Sequence, residues 1–303
     1  MSRIQDILSK AERDGTARRT RALVDDSAAA PPAIPIPGRH TAATAAAPAF
    51  ESAHQAPAWT SAATAEAVEP EPARIPTGTV DMHLAAALAP QSLAAEQYRS
   101  LRTRIKRAEN GRTVRTIVVT SPNKGDGKSL TAANLAVTMA QEFQQRVLLV
   151  DADLRRPAIH TLFGFQEGQG LSDVLMGAAE LNQVLIEVPD YHLTLLPAGS
   201  LPSHPAELLG SAAMRRVLDT LRTRFDRVLI DMPPVAPLAD LHIVAPMADA
   251  LLMIVRAGVT PKPAIERALA GLDMSKVLGL VLNDSGGPGH DSLAYEGYGY
   301  IAG

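Results

Sequence analysis

The sequence predicts an α/β fold, a doubly wound and mostly parallel sheet flanked by helices. Six short apolar runs rich in Val, Leu and Ile have the composition of strands that are covered on both faces. They are Val114–Thr120, Arg146–Val150, His192–Leu196, Arg227–Ile230, Ala250–Val255 and Val277–Leu282. Because helical segments separate most of these runs, we expect parallel strands with a ligand bound at their carboxyl ends.

Residues 1–24 are predicted to form a short amphipathic helix. Apolar side chains recur there at helical spacing among charged residues, at Ile4, Ile7, Leu8 and Ala11. A helix this short either frays in solution or docks on a partner, and the sequence leaves both readings open.

Residues 25–80 are predicted to be a disordered linker. They are dominated by Ala and Pro, and their few large apolar side chains are isolated. Such a stretch buries too little surface to offset the entropy lost on ordering. Helical segments at His83–Leu88 and Ser92–Ala108 then lead into the strands. We therefore expect a folded domain over 81–284 and a flexible tail over 285–303.

Composition excludes several functional classes. The 303 residues carry a formal net charge of -3, which argues against a generally basic nucleic-acid binder. The chain has no cysteine, and its eight histidines include no pair at helical ligand spacing, so thiolate and histidine metal sites are not expected. No apolar run approaches the ~20 residues of a membrane helix. We expect a soluble, cytoplasmic protein that binds no nucleic acid.

The segment SPNKGDGKS, from Ser121 to Ser129, follows the strand TIVVT and precedes the helical pattern LTAANLAVTMA. This is the context of a phosphate-binding loop, where glycines let backbone N–H groups and a helix N-terminus face a phosphate. Pro122 stands where the usual pattern has its first glycine, and a glycine-rich turn with an incidental lysine is the alternative. The nucleotide is expected to contact Gly125, Asp126, Gly127, Lys128, Ser129 and Leu130.

Three carboxylates stand at the ends of predicted strands. Asp151 and Asp153 follow the strand RVLLV, and Asp231 follows RVLI. A single aspartate at such a place is more often a helix cap or turn residue. Because parallel strands end at one edge of a sheet, three of them can face the phosphate loop, and Mg²⁺ prefers oxygen ligands of this kind. We expect Ser129, Asp153 and Asp231 to hold Mg²⁺ beside ATP.

Three of the five tyrosines lie within the last nine residues, at Tyr295, Tyr298 and Tyr300. At ~3.5 Å per residue, the stretch from Gly286 to Tyr300 reaches about 50 Å, enough to enter the site of a second copy. These tyrosines are therefore candidate phosphate acceptors in trans. The alternative is a chain end whose tyrosines anchor a partner or have no role.

Taken together, these features resemble the bacterial tyrosine kinases of capsule and exopolysaccharide systems. The segments EQYRSLR, QGLSDVL, LPAG, PSHPAELLGS and YEGYGY add to the three ATP motifs, and the resemblance covers roughly Ser92 to Gly303. It implies a P-loop fold like that of septum and partition ATPases, use of Mg²⁺ and ATP, and tyrosine autophosphorylation that regulates exopolysaccharide polymerisation and export. The N-terminal segment followed by a linker is similar to the soluble subgroup of the family.

The resemblance also implies roles for single residues. Lys128, Asp151, Asp153 and Asp231 are implied to be catalytic, with Asp153 the candidate for contacting the attacking tyrosine. Asn283, after the strand LGLVL, resembles an asparagine that contacts the base in related ATPases. An asparagine that ends a strand is more often a turn former.

Partners are implied by the same resemblance. Glu96, Arg99 and Arg102 would lie at the subunit interface of a ring, although pairing within their own helix is the alternative. A membrane polysaccharide co-polymerase would recruit the chain to the inner membrane and activate it, and a tyrosine phosphatase would reverse the modification. Two competing functions are a septum- or partition-type ATPase switch and a nucleotide-binding scaffold. The switch class has a lysine where this chain has Asn123.

Overall fold

A computed structural model describes residues 73–74, 79–142, 145–235 and 240–284. Within them, one sheet contains eight strands. The strands are β1 Ala73–Arg74, β2 Thr116–Thr120, β3 Val147–Asp151, β4 Ile186–Val188, β5 Leu193–Leu196, β6 Arg227–Asp231, β7 Ala250–Arg256 and β8 Val277–Asn283.

Helices connect most of the strands. They are α1 Ala85–Leu88, α2 Leu93–Ala108, α3 Lys128–Ala140, α4 Ile159–Leu162, α5 Leu171–Leu175, α6 Leu181–Val184, α7 Pro205–Leu209, α8 Ala212–Arg224, α9 Asp240–Val244 and α10 Lys262–Ala270, with short 3₁₀ turns at Pro189–Tyr191 and Ala245–Met247. Among the described residues, no helix combines the length and the apolar character needed to span a membrane.

The sheet is mostly parallel, in the order β1-β4-β5-β3-β6-β2-β7-β8. Strands β5, β3, β6, β2, β7 and β8 all run in one direction, and β4 pairs with β5 antiparallel. The predicted doubly wound α/β fold is confirmed. All six predicted strands are present, with ends displaced by at most two residues.

Two short strands were not predicted from the sequence. The edge strand β4 has only three residues, and β1 pairs with it through Ala73 and Arg74 inside the range predicted to be linker. Pairing at a sheet edge uses backbone groups, so an Ala- and Pro-rich composition does not reveal it. Apart from 73–74 and 79–80, the predicted linker lies outside the described residues, as do the predicted helix over 1–24 and the tail over 285–303.

Two apolar cores cover the two faces of the sheet. Alternate residues of β2 divide between them, since Val118 packs in one core while Ile117 and Val119 pack in the other. Both faces of the central strands are therefore buried, as their continuous apolar runs predicted. Helix α3 lies in the second core, and its residues from Thr131 to Ala140 are all buried. This burial fixes the end of the helix from which the phosphate-binding loop projects.

A polar side chain joins α3 to the start of the domain. Asn134 is fully buried, and its Oδ1 accepts a hydrogen bond from the N–H of Ala86 at 2.9 Å. Its Nδ2 donates to the carbonyls of His83 at 3.1 Å and Leu130 at 3.0 Å. Helix α1 is thus attached to α3 by hydrogen bonds that water cannot replace.

Replacing this amide should measurably destabilise the fold. Asn134→Ala leaves the buried N–H of Ala86 without a partner, which costs about 1–3 kcal/mol, whereas the His83 carbonyl still accepts from the N–H of Ala85 at 2.8 Å. We expect the free energy of unfolding to fall by about 1–3 kcal/mol in urea titrations. Gln97→Ala, which removes an exposed amide from α2, should change it by less than about 0.5 kcal/mol. Equal losses in the two variants would contradict this role for Asn134.

Candidate functional site

The phosphate-binding loop joins the end of β2 to the start of α3. It turns at two glycines in the left-handed region, Gly125 at φ +86° and Gly127 at φ +90°. A Cβ atom on Gly127 would lie 2.1 Å from the amide nitrogen of Asn283, whereas one on Gly125 would meet open space. Pro122 has no positive φ. A glycine is therefore not needed at that position to make this turn.

Three contacts hold Asp126 at the tip of this loop. Its carboxylate accepts hydrogen bonds from the N–H of Asn123 at 2.9 Å and from Thr260 Oγ1 at 2.8 Å. Its main-chain carbonyl accepts from Asn283 Nδ2 at 2.9 Å. The side chain of Asp126 is buried and holds the loop, and its carbonyl is engaged by Asn283, so only its backbone N–H is left to face a nucleotide.

Asn283 is the last residue of β8, and its amide is used to hold the loop. The proposed contact of Asn283 with the adenine base stays a prediction. Thr260, in the turn after β7, was missed by the sequence reasoning. No local motif identifies it, because its partner Asp126 lies 134 residues away in the chain.

Lys128, the first residue of α3, lies at the centre of a charged cluster. Its Nζ is 2.9 Å from Asp153 Oδ2, 3.3 Å from Asp231 Oδ2 and 3.0 Å from Ser129 Oγ. The Ser129 hydroxyl also donates to Asp231 Oδ2 at 2.5 Å. Four predicted site residues, from three separate segments, are thus brought within hydrogen-bond distance. Leu130, the next residue, packs against the second core.

Asp151 occupies a different position from the other two carboxylates. Its Oδ2 accepts from the N–H groups of Ala158 at 2.9 Å and Ile159 at 3.0 Å, at the start of α4. Its Oδ1 accepts from the N–H of Asp153 at 3.2 Å. Of the three carboxylates expected to face the loop, Asp153 and Asp231 contact Lys128. Asp151 holds the turn that carries Asp153 and caps a helix.

Burial controls the charges in this cluster. Removal from water raises the pKa of Asp231 to about 7 and that of Asp151 to about 6. Burial acts to lower the pKa of Lys128, but the negative charges of Asp231 and Asp153 outweigh it, and the pKa is raised. The lysine is therefore a permanent cation, and the carboxyls release their protons most readily when a positive charge is close.

A further ion pair supports the turn after β3. The guanidinium of Arg155 donates to Asp240, with Nε at 2.7 Å from Oδ2 and Nη2 at 3.1 Å from Oδ1. Asp240 is buried at the start of α9. The pair ties the segment of Asp151 and Asp153 to the chain that follows Asp231. Sequence reasoning missed it, although both residues lie within ten positions of a predicted carboxylate.

The remaining predicted residues are separate from this cluster. Arg99 Nε donates to Glu96 at 2.7 Å within α2, and Arg102 Nη1 donates to the carbonyl of Thr138 in α3 at 2.7 Å. Pairing within the helix, the alternative considered for Glu96 and Arg99, is therefore present, and an interface role stays a prediction. The three candidate acceptor tyrosines lie outside the described residues.

The donor set fits a bound phosphate and a cation. Ser129, Asp153 and Asp231 place oxygen atoms around the ammonium of Lys128, which shows that these atoms can surround a positive charge. Mg²⁺ takes one or two carboxylates and completes its shell with water and phosphate oxygens. In the described ranges, no group of three or more His, Asp or Glu is placed to hold a metal ion without other ligands.

Comparisons with known proteins agree with this geometry. A family model described as an AAA domain matches residues 114–269. The tyrosine-protein kinase YwqD of Bacillus subtilis is 38% identical over 210 residues, which cover 69% of this chain and 88% of that protein. The tyrosine-protein kinase Wzc of Salmonella typhimurium is 33% identical over 213 residues, which cover 70% of this chain but only 29% of that longer protein.

A solved structure is similar over the same region. The kinase domain of the Escherichia coli tyrosine kinase ETK matches with a TM-score of 0.62 at 28% identity, covering 70% of this chain and 88% of that one. The family model spans the phosphate-binding loop and the strands that carry Asp153 and Asp231. From the fold, the loop and a match to nearly all of YwqD, the chain belongs to the bacterial tyrosine kinase family.

Proposed function

We propose that this chain transfers the γ-phosphoryl group of ATP to Tyr295, Tyr298 and Tyr300 in the tail of a second copy. The observation that carries the proposal is the position of Lys128, at the start of a buried helix and in contact with Ser129, Asp153 and Asp231. A cation suited to phosphate and oxygen atoms suited to a metal thus lie close together, which supports the proposal.

Nucleotide binding uses the loop and the helix it precedes. The left-handed glycines Gly125 and Gly127 shape the turn, and the N-terminus of α3 adds a partial positive charge. Lys128 exchanges its carboxylate partners for the β and γ phosphates. Ser129, Asp153 and Asp231 would hold Mg²⁺, and the ion, when bound, would supply positive charge that offsets the charge of the phosphates.

In the transfer step, the tyrosine Oη forms a bond to the γ-phosphorus while the bond from that phosphorus to the β-phosphate oxygen breaks. The hydroxyl proton passes to Asp153, whose backbone N–H is held by Asp151 at 3.2 Å. Lys128 and the N–H groups of the loop offset the charge on the leaving phosphate. The Arg155–Asp240 pair keeps the turn that carries Asp153 in position.

The modified tail acts as a switch on polysaccharide polymerisation and export. Each phosphate adds about -1.5 to -2 charge, so a multiply modified tail is repelled by a site lined with carboxylates. A membrane co-polymerase recruits the chain to the inner membrane and activates it, and a tyrosine phosphatase restores the tail. Helix α2, through Glu96 and Arg99, contributes to the contact between copies in a ring.

Loss of the loop lysine should abolish tyrosine phosphorylation. With Mg·ATP and the cytosolic segment of the co-polymerase, Lys128→Met should lower phosphotyrosine, detected by antibody and mass spectrometry, by about 10²-fold or more. Lys124→Met is the matched control, because it removes an exposed lysine from the same loop. It should retain most of the signal, since no described contact depends on its ammonium.

A triple Phe variant locates the acceptors. Changing Tyr295, Tyr298 and Tyr300 to Phe should remove the label, whereas Tyr191→Phe, in a side chain packed against the second core, should keep it. Signal that survives Lys128→Met would point to another site or another kinase. ATP hydrolysis that continues with no tyrosine labelled, even with the co-polymerase segment, would favour the septum- or partition-type switch instead.

The proposed metal ligand Asp231 should make stability depend on pH. Its pKa is raised from 3.8 to about 7 in the folded chain, so between these values the folded state holds a proton that the unfolded state has released. Stability contributed by the protonated carboxyl is therefore lost as the pH rises from about 4 to about 7. Urea titrations in EDTA should show this decline.

Two variants test the assignment to Asp231. Asp231→Asn should flatten the decline, although Asp151, whose pKa is raised to about 6, keeps part of it. Asp226→Asn is the control, because hydrogen bonds from Arg146 lower the pKa of Asp226 and its contribution is lost only in more acidic solution. If the free energy of unfolding declines with pH as steeply in Asp231→Asn as in the unmodified chain, the assignment is refuted.

Phosphorylation of the tail should dissociate an oligomer held partly by α2. Light scattering should give a larger mass before incubation with Mg·ATP than after it. Arg99→Ala, which removes the Glu96 pair at 2.7 Å, should lower the mass of the unmodified protein. Arg104→Ala, at an exposed position of the same helix, should leave the mass unchanged. Equal masses before and after phosphorylation would exclude the mechanism.

A further inference from the structure

A cavity of about 480 Å³ lies at the amino ends of the central strands, and we call it the rear cavity. Its walls are the residues just before β2, β7 and β8 together with one side of α8. Because the phosphate-binding loop follows the carboxyl end of β2, the rear cavity lies at the amino ends of the strands, away from the nucleotide site. Its charged lining residues are Arg112, Arg215, Asp219, Arg222, Asp249 and Lys276.

Positive charge in the rear cavity exceeds negative charge. Lys276 Nζ donates to the carbonyls of Ala245, Pro246 and Ala248, and Arg112 Nη1 donates to that of Ser275 at 3.1 Å. These acceptors are uncharged, so they fix the two cations in place without neutralising them.

The negative charges at the rear cavity are already engaged. Asp249 Oδ2 accepts from the N–H groups of Arg115 and Thr116 and from the Thr116 hydroxyl, at 2.8–2.9 Å, and Asp249 Oδ1 is 3.4 Å from Arg222. Asp219 is largely exposed and lies 3.4 Å from Arg222.

Among the lining cations, Arg222 is paired with these two carboxylates. The pKa of Asp273 is lowered by hydrogen bonds from Ser275 and by the nearby charge of Lys276. Arg112 and Arg215 remain as charges that no described carboxylate pairs with.

Two arginines of α8 have unused donors. Arg215 is exposed and makes no hydrogen bond or ion pair with any residue that the structure describes. The Nε of Arg222 is buried and has no acceptor among those residues. The Nη atoms of Arg222 are held by Asp219, the Thr116 hydroxyl and the Met247 carbonyl, so its guanidinium is fixed with one donor unused.

The rest of the lining is apolar. Val114 and Leu218 are buried beneath the cavity, and Pro246 and Met247 stand at its side. We propose that the rear cavity binds phosphotyrosine, with the aromatic ring against these side chains. The phosphate would be held by the guanidinium of Arg215, with Arg112 and the fixed charge of Lys276 nearby. This rests on the proposed function only for the origin of the phosphotyrosine, which is the tail of this chain or of a second copy.

The tail is long enough to reach the rear cavity from its own domain. It leaves β8 after Asp284, and β8 has seven residues, about 23 Å at ~3.3 Å per residue. Tyr298 lies fourteen residues beyond Asp284, a reach of at most about 50 Å. A tail that is repelled by the carboxylates at the carboxyl ends of the strands can therefore reach the cations of the rear cavity.

A synthetic peptide tests binding without kinase activity. A fluorescein-labelled peptide of residues 290–303 with phosphate on Tyr298 should bind the full chain in anisotropy titrations, and the unphosphorylated peptide should bind at least about tenfold more weakly. Phenyl phosphate should displace it at lower concentration than inorganic phosphate does. Equal binding of both peptides, or equal displacement by the two phosphates, would overturn the proposal.

Two neighbouring arginines on α8 locate the contact. Arg215→Ala should weaken the phosphopeptide about tenfold, the low end for a charge-assisted hydrogen bond. Arg216→Ala is the matched control, since Arg216 is also exposed but borders a different depression, beside Thr220 and Arg224. Equal affinity of the two variants would show that the peptide binds elsewhere. Because the peptide is made chemically, this result is independent of whether the chain phosphorylates tyrosine.

Discussion

The enclosed ion cluster of Lys128 with Asp231 and Asp153 is the interaction on which the rest of the structure depends. Asp231 is 0% exposed and the Lys128 side chain only 12%. A buried charge without its partner costs several kcal/mol, so these groups must stay together. The sheet achieves this because β6 lies between β2 and β3, with Asp231 in register with both Val119 and Asp151. A cluster held this way is already formed before a nucleotide binds.

The surroundings of the loop follow from the same constraint. The proposed exchange of carboxylates for a phosphate at Lys128 requires a loop that keeps its shape when the first contact breaks. Asp126 supplies this stability, since Thr260 and Asn283 hold it from the turn after β7 and from the end of β8. The closeness of Asn283 to Gly127 further excludes any side chain there. The carboxyl ends of β7 and β8 thus determine the geometry of the loop that follows β2.

Local pattern was sufficient to predict six of the eight described strands, the position of the loop and the aspartates at strand ends, because each is defined by residues adjacent in the chain. The hydrogen-bond and ion-pair partners of those residues were harder to predict. Asp151 and Asp153 stand two positions apart, yet only Asp153 contacts Lys128, and the direction of each side chain is set by the turn into α4. The bonds of Asp126 to Asn283 and of Arg155 to Asp240 join residues 157 and 85 positions apart. Such pairs exist only after the sheet has formed.

The charges at the two ends of the parallel strands suit the two proposed states of the tail, unmodified and phosphorylated. In the proposed mechanism, an unmodified tyrosine reaches the carboxyl ends of the strands as a neutral hydroxyl, which the charges of Lys128, Asp153 and Asp231 do not repel. Once phosphorylated, the same residue would be an anion beside those carboxylates, and the proposed rear site would offer it the unpaired guanidinium of Arg215. Lys276 and Asn283 stand at opposite ends of β8, and the tail continues from that strand. Phosphorylation would then change which edge of the sheet the tail occupies, with no change in the fold itself.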